Sequence, residues 1–165
     1  MNRIILVALI TIFGVSGYAS NFSKLANIEL NTSEQYAEAQ EQVLDCCYYL
    51  LSTPCDKKDE DRGFATQFII RWIQGTPEYS FEIEDVVTKM TAEKEELLSL
   101  YLTCYTKLTL ESENPYEEKN QIKQQSIEAF LDYCGSSINK VRATKEMKKM
   151  LEARDQGQLE AYLKN

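Results

Sequence analysis

Apolar residues recur at helical spacing along most of this chain, and few residues interrupt the pattern. In the first such segment Tyr36, Val43, Cys47 and Leu50 fall on one face of a helix, with the period of about 3.6 residues that defines it. The 165 residues include only 6 Gly and 3 Pro, which is too few for the many tight turns of a β-sheet protein. The pattern therefore predicts an all-α protein.

Capping and helix-breaking residues divide this pattern into five or six predicted helices. Gly75 is expected to lie just past the last turn of the second helix, and Pro115 to open the fourth. The predicted helices cover about 33–52, 62–74, 92–111, 115–134, 140–154 and 158–164. We expect them to form an irregular helical bundle in a single domain. Its predicted core residues are Trp72, Leu97, Tyr101, Cys104, Phe130, Leu131 and Leu151.

The N-terminal residues are typical of a secretory signal peptide. Arg3 precedes an uncharged apolar stretch at 4–15, and Gly17 and Ala19 supply the small residues needed for cleavage after Ala19. Twelve helical residues span only about 18 Å, against a bilayer core of about 30 Å, so a membrane anchor is the weaker interpretation. We predict a signal peptide at 1–19 and a periplasmic or secreted protein without a membrane span after its removal.

The mature chain, residues 20–165, is predicted to be one acidic helical domain. Removal of the leader takes away Arg3 alone and leaves 17 basic against 26 acidic residues. A net charge of this sign repels phosphate groups, so nucleic acid is not expected as a partner. We expect a protein or another component of the cell envelope instead.

Several kinds of active site are excluded by the residues that the chain lacks. It contains no His, which removes Ser-His-Asp and Cys-His nucleophile systems and the HExxH zinc site. No glycine-rich phosphate-binding motif occurs either. The acidic loop 55–61 does not have the EF-hand spacing, since Lys58 stands at the third position counted from Asp56. We therefore predict no catalytic residue, cofactor or metal, and assign this loop to solvent.

The five cysteines differ in their placement on the predicted helices. Cys47, Cys104 and Cys134 fall on apolar faces and are expected to be buried thiols, with Cys104 and Cys134 not bonded to each other. Cys46 lies on the flank of its helix and Cys55 in a polar loop, so these two are the candidates for exposure.

The most unusual segment is 72–81, which concentrates aromatic residues, Gly and Pro at the end of a helix. Its alternating end, 79–83, is predicted as an extended connection or at most a lone strand. Such a composition can build the rim of a groove. The candidate binding residues are Gly75, Thr76, Pro77, Glu78, Tyr79 and Phe81. The alternative, which we favour, is that Tyr79 and Phe81 fasten this connection to the core.

The pattern Trp72-x-x-Gly75-Thr76-Pro77-x-Tyr79-x-Phe81, with the later Leu97-Leu98-x-x-Tyr101 and a short leader, resembles a family of small exported bacterial proteins of unknown function. The resemblance implies an envelope or secreted location in a diderm bacterium. It carries over no catalytic residue.

Two functions follow from these observations. The first is an exported, non-enzymatic binding or interaction protein of the cell envelope. The alternative is a small hydrolase acting on cell-wall glycan through Glu78 and either Glu82 or Asp85. Such an enzyme needs one carboxyl group with a raised pKa and a second one about 5 to 9 Å away.

Overall fold

The computed structural model describes residues 22–163, and all of the regular secondary structure within them is helical. The helices are α1 (Ser33–Glu38), α2 (Gln40–Ser52), α3 (Glu60–Gly75), α4 (Asp85–Thr91), α5 (Glu95–Glu111), α6 (Lys119–Gly135), α7 (Lys145–Asp155) and α8 (Leu159–Leu163). Short 3-10 helices cover Phe22–Asn27 and Ser137–Asn139. The predicted all-α class is confirmed, and the extended segment 79–83 pairs with no other strand among these residues. The predicted signal peptide lies outside the described residues.

Several helix boundaries differ from the predicted ones, and three of these differences can be described at single residues. The predicted first helix is divided at Ala39, although this residue still donates to Gln35 O and accepts from Val43 N. At the start of α6, Asn114 O accepts from the amides of both Glu117 and Glu118, so a turn precedes the helix. Before α7, Thr144 acts as the N-cap by accepting from the Met147 amide.

The buried side chains form two clusters. The first cluster joins the 3-10 helix at 22–27 to α2 and α3, and its largest member is Trp72. The second cluster is built from α4, α5, α6, α7 and α8, around Tyr101 and Phe130. Of the predicted core residues, all but Leu151 are buried, and Leu151 packs at the edge of the second cluster.

Helix α5 occupies the centre of the bundle. It contacts α2 and α3 on one side and α4 and α6 on the other. Every residue from 100 to 106 is buried, so this stretch has no solvent-facing stripe. A helix that is buried all round belongs to the interior of a protein rather than to its surface. Within the described residues, no helix is long and apolar enough to span a bilayer.

The five cysteines are unpaired in the structure, as predicted for Cys104 and Cys134. Burial raises the pKa of Cys104 to about 12. Cys46, predicted as a candidate for exposure, is instead fully buried, because it lies in the first cluster together with Phe22 and the buried side chains of α3. Burial, and secondarily the charge of Asp45, raises the pKa of Cys46 to about 12. Cys55 is half-buried.

Thr106, on the buried stretch of α5, offers a test of the packing. Its hydroxyl is the one buried side-chain polar atom of the described residues that has no hydrogen-bond partner. Thr109, one turn later, donates its hydroxyl to Tyr105 O at 2.8 Å. A buried polar group without a partner costs about 1–3 kcal/mol, whereas a satisfied one contributes about 1 kcal/mol.

We therefore expect Thr106→Val to raise the free energy of unfolding by about 1 kcal/mol, because Val keeps the shape and removes the unsatisfied hydroxyl. The matched control, Thr109→Val, is expected to lower it by a similar amount. Urea denaturation of the two variants measures both changes. Equal destabilisation by the two substitutions would show that Thr106 has a partner in solution.

Candidate functional site

The predicted site segment 75–81 leaves α3 and crosses from the first cluster to the second. Gly75 is the last residue of α3 rather than the residue after it, and its φ is not positive. The predicted position of this glycine, just past the end of the helix, is therefore wrong. Its role is spatial, because a Cβ atom there would lie 1.7 Å from the Tyr36 hydroxyl oxygen.

The aromatic residues of this segment point into the protein. The Tyr79 ring lies 5.7 Å from the Trp72 ring, between centroids. Phe81 lies 6.2 Å from Trp72 and 5.1 Å from Tyr105, edge to face in both cases. Phe81 thereby packs against both clusters. Such pairs contribute about 0.5–1.5 kcal/mol each beyond burial, so these two side chains fasten the connection to the core.

The remaining predicted residues form a small polar surface. Thr76, Pro77 and Glu78 border a shallow hollow of about 430 Å³, whose other side is α1. The Glu78 carboxylate accepts from Gln40 Nε2 at 2.9 Å, and the Tyr116 hydroxyl donates to the Glu78 main-chain oxygen. The structure thus brings three of the six predicted residues together at a surface.

The carboxylates proposed for hydrolysis are all exposed. Glu82 accepts from Lys119 at 2.8 Å and from Lys123 at 3.0 Å, and these hydrogen bonds hold the pKa of Glu82 below its ordinary value. Neither Glu78 nor Asp85 is buried. A general acid of the glycosidase type requires a raised pKa, which arises from burial or from a neighbouring negative charge. The geometry therefore does not favour the hydrolase alternative.

Lys123 also pairs with a second carboxylate, that of Glu84. Lys123 Nζ lies 2.9 Å from Glu84 Oε1, and only 10% of its side chain is exposed. Burial lowers the pKa of Lys123, but its hydrogen bonds to Glu84 and Glu82 outweigh that effect and leave the pKa raised. The cluster ties the extended segment after Phe81 to α6.

We expect Glu82→Gln to lower the free energy of unfolding at neutral pH. Because the folded-state pKa of Glu82 is lowered, its carboxylate stabilises the fold above its ordinary pKa. That contribution disappears as the pH falls through the folded-state value, so variant and wild type should converge in acid.

Denaturation across a pH series measures this convergence. The control is Glu117→Gln, which alters an exposed carboxylate close to the start of α6 that forms no ion pair with the described residues. A Glu82→Gln deficit that stays constant into strong acid would contradict an electrostatic role.

A concavity larger than the hollow beside Thr76–Glu78 lies elsewhere, between the start of α3 and the start of α5. It has a volume of about 870 Å³, and we call it the α3–α5 groove. Leu50, Phe64 and Leu100 are its main apolar lining residues. The groove is also lined by Cys55, Asp56, Lys57, Asp59, Glu60, Arg62, Gly63, Thr66, Gln67, Glu95, Glu96, Ser99 and Thr103.

A buried arginine holds the loop beside this groove in place. Arg62, 8% exposed, donates to Leu50 O at 2.9 Å, to Thr53 O at 3.1 Å and to Thr53 Oγ1 at 2.7 Å. It also donates to the Tyr133 hydroxyl at 3.3 Å, which reaches α6. These bonds satisfy carbonyl groups at the end of α2 and fix the entry to α3, so the groove is formed without a ligand.

A second set of contacts fixes the first turn of α3. Asp59 accepts from the Arg62 amide at 3.2 Å as an N-cap and from the Tyr49 hydroxyl at 2.7 Å. Burial and the hydrogen bond to Asp59 raise the pKa of Tyr49 to about 12, so this tyrosine stays a donor at neutral pH. Gly63 follows, and a Cβ atom built there would meet nothing within 4 Å.

Charge around the groove is unbalanced. Five carboxylates line it, from Asp56, Asp59, Glu60, Glu95 and Glu96. The basic lining residues are Lys57, which forms an ion pair with Glu96, and Arg62, whose donors are used as described above.

This groove was not predicted from the sequence, and its acidic loop was assigned to solvent. The only local signal was Gly63, a glycine inside a predicted helix with no capping role. Among the described residues, no group of three or more Cys, Asp or Glu side chains is arranged to hold a metal ion.

No protein-family model matches the chain, and no curated protein or solved structure is significantly similar to it. The resemblance of the Trp72–Phe81 pattern to a family of exported bacterial proteins therefore stays a prediction.

Proposed function

We propose that this protein is an exported, non-enzymatic binding protein of the cell envelope, and that the α3–α5 groove is its binding site. The observation that carries the proposal is the groove itself. Its volume of about 870 Å³ is within the range of about 300–1,000 Å³ typical of ligand sites, and it combines apolar residues with polar groups.

Three features support binding rather than catalysis. The thiols of Cys46, Cys47, Cys104 and Cys134 have pKa values raised by burial, whereas a nucleophilic thiol needs a lowered one. The chain has no His to serve as a base. The carboxylates of the 78–85 segment are exposed, and the one with a shifted pKa is held in its charged form.

The predicted site segment takes a structural role in this proposal. Tyr79 and Phe81 pack inward, and Gly75 makes room for Tyr36. The exposed part, Thr76 to Glu78, borders a hollow half the size of the groove. The groove is therefore the better binding site.

Export is tested by N-terminal sequencing of the protein recovered outside the cytosol of its native host. The signal peptide prediction gives a chain that starts at Ser20, since cleavage follows Ala19. Recovery of exported protein that still begins at Met1 would contradict the predicted cleavage.

The binding site is tested with N-phenyl-1-naphthylamine, a neutral apolar dye that becomes fluorescent on leaving water. We expect saturable fluorescence with the wild type. Gly63→Trp should abolish it, because the indole fills open space on the groove wall. Gln67→Trp, at a second exposed lining position, serves as an independent block that leaves the start of α3 unchanged.

The control is Lys148→Trp, which places the same indole on an exposed position of α7 and should leave dye binding unchanged. Circular dichroism confirms that each variant is folded. Undiminished dye binding by folded Gly63→Trp and Gln67→Trp proteins would contradict the assignment of the site.

A further inference from the structure

We infer that the α3–α5 groove takes a short, basic, apolar-anchored segment of a partner polypeptide, and that the Lys57–Glu96 ion pair closes its mouth until a partner cation displaces Lys57. This inference rests on the proposed function and names the class of ligand. The apolar lining defines the site, and the charges around it select among apolar ligands.

The size of the groove sets the length of the segment. Its α3 side runs from Glu60 to Gln67 and its α5 side from Glu95 to Thr103. At 1.5 Å per residue these sides are roughly 10 to 12 Å long. That length matches about four residues of extended chain or two turns of helix, enough for two apolar anchors.

The charges favour a cation over an anion. The N-termini of α3 and α5 each present about half a positive charge. Each first turn, however, contains two carboxylates, Glu60 and Asp61 on α3 and Glu95 and Glu96 on α5. These acids outweigh the helix dipoles, and Asp56 adds to them from the loop. The potential at the mouth is therefore negative, and it attracts Lys or Arg.

Lys57 occupies the position that such a cation would take. It reaches from the loop between α2 and α3 to Glu96 at the start of α5, and both residues line the groove. Their side chains are 77% and 65% exposed, respectively. Exposed ion pairs of this kind contribute little stability, so an incoming basic side chain can exchange with Lys57 at low cost.

Removal of the Lys57 side chain should therefore strengthen binding. If Lys57 instead made a favourable contact with the ligand, its removal would weaken binding. We expect the Lys57→Met variant to bind a basic peptide with about threefold higher affinity than the Lys58→Met variant. Lys58 is the matched control, because it is exposed in the same loop, carries the same charge and does not line the groove. Glu96→Gln should weaken binding about threefold. Added salt should weaken the binding of the basic peptide to every variant, because other carboxylates of the groove remain.

The experiment uses three fluorescein-labelled short peptides with the same two leucines, whose other positions are Lys, Gln or Glu. Fluorescence anisotropy measures their binding to the full mature chain and its variants, with Gly63→Trp as the blocked groove. The expected order of affinity is Lys, then Gln, then Glu, with loss of binding in Gly63→Trp.

Each other result overturns a stated part of the inference. Tighter binding of the Gln or Glu peptide would refute the basic ligand while leaving the groove as the site. Equal effects of Lys57→Met and Lys58→Met would refute displacement. Failure of all three peptides, with dye binding intact, would refute a polypeptide segment but not the proposed function. Failure of peptides and dye alike would refute both.

Discussion

The burial of α5 on all sides is the constraint on which the rest of the structure depends. Two separate apolar clusters meet at this helix, one built on Trp72 and the other on Tyr101 and Phe130. Since α5 has no solvent-facing stripe between residues 100 and 106, the other helices must surround it. The connection after α3 completes the enclosure through Phe81, whose ring contacts both Trp72 and Tyr105.

The same helix provides a fixed wall for the groove. Its first two turns emerge from the core with Leu100 and Thr103 buried, while Glu95 and Glu96 reach solvent. The opposite wall is fixed by Arg62, which binds the end of α2 and Tyr133 of α6. Both walls are therefore anchored in the core, and a ligand would not have to order them. The exposed part of the mouth is the Lys57–Glu96 contact.

Much of the fold follows from the sequence because helices are encoded locally. The 3.6-residue period gave the helical class, most helix spans and a core containing Trp72, Tyr101 and Phe130. Features that depend on packing between distant segments were missed. Cys46 is buried because it lies in the first cluster, which the N-terminal 3-10 helix, α2 and α3 form together. No local pattern records this fact.

The candidate site likewise combines features that local sequence patterns predict with features that depend on packing between distant segments. Tyr79 and Phe81 pack against the core, which is the interpretation favoured from the sequence. The groove could not be predicted from the sequence, because Gly63 on α3 and Glu96 on α5 are brought together only by the packing of both helices around the core. The acidic loop 55–61 was assigned to solvent because its own residues are charged and include no apolar anchor.

Native-state hydrogen exchange tests the central claim, that α5 is the shared interior of both clusters, most directly. If both clusters pack on α5, its amides from 100 to 106 should exchange only through global unfolding, with the free energy and urea dependence of the whole protein. Amides of α7 and α8, which belong to the second cluster alone, should open at lower free energy. Exchange of the α5 amides through a smaller opening, at or below the free energy of α7 and α8, would contradict the account.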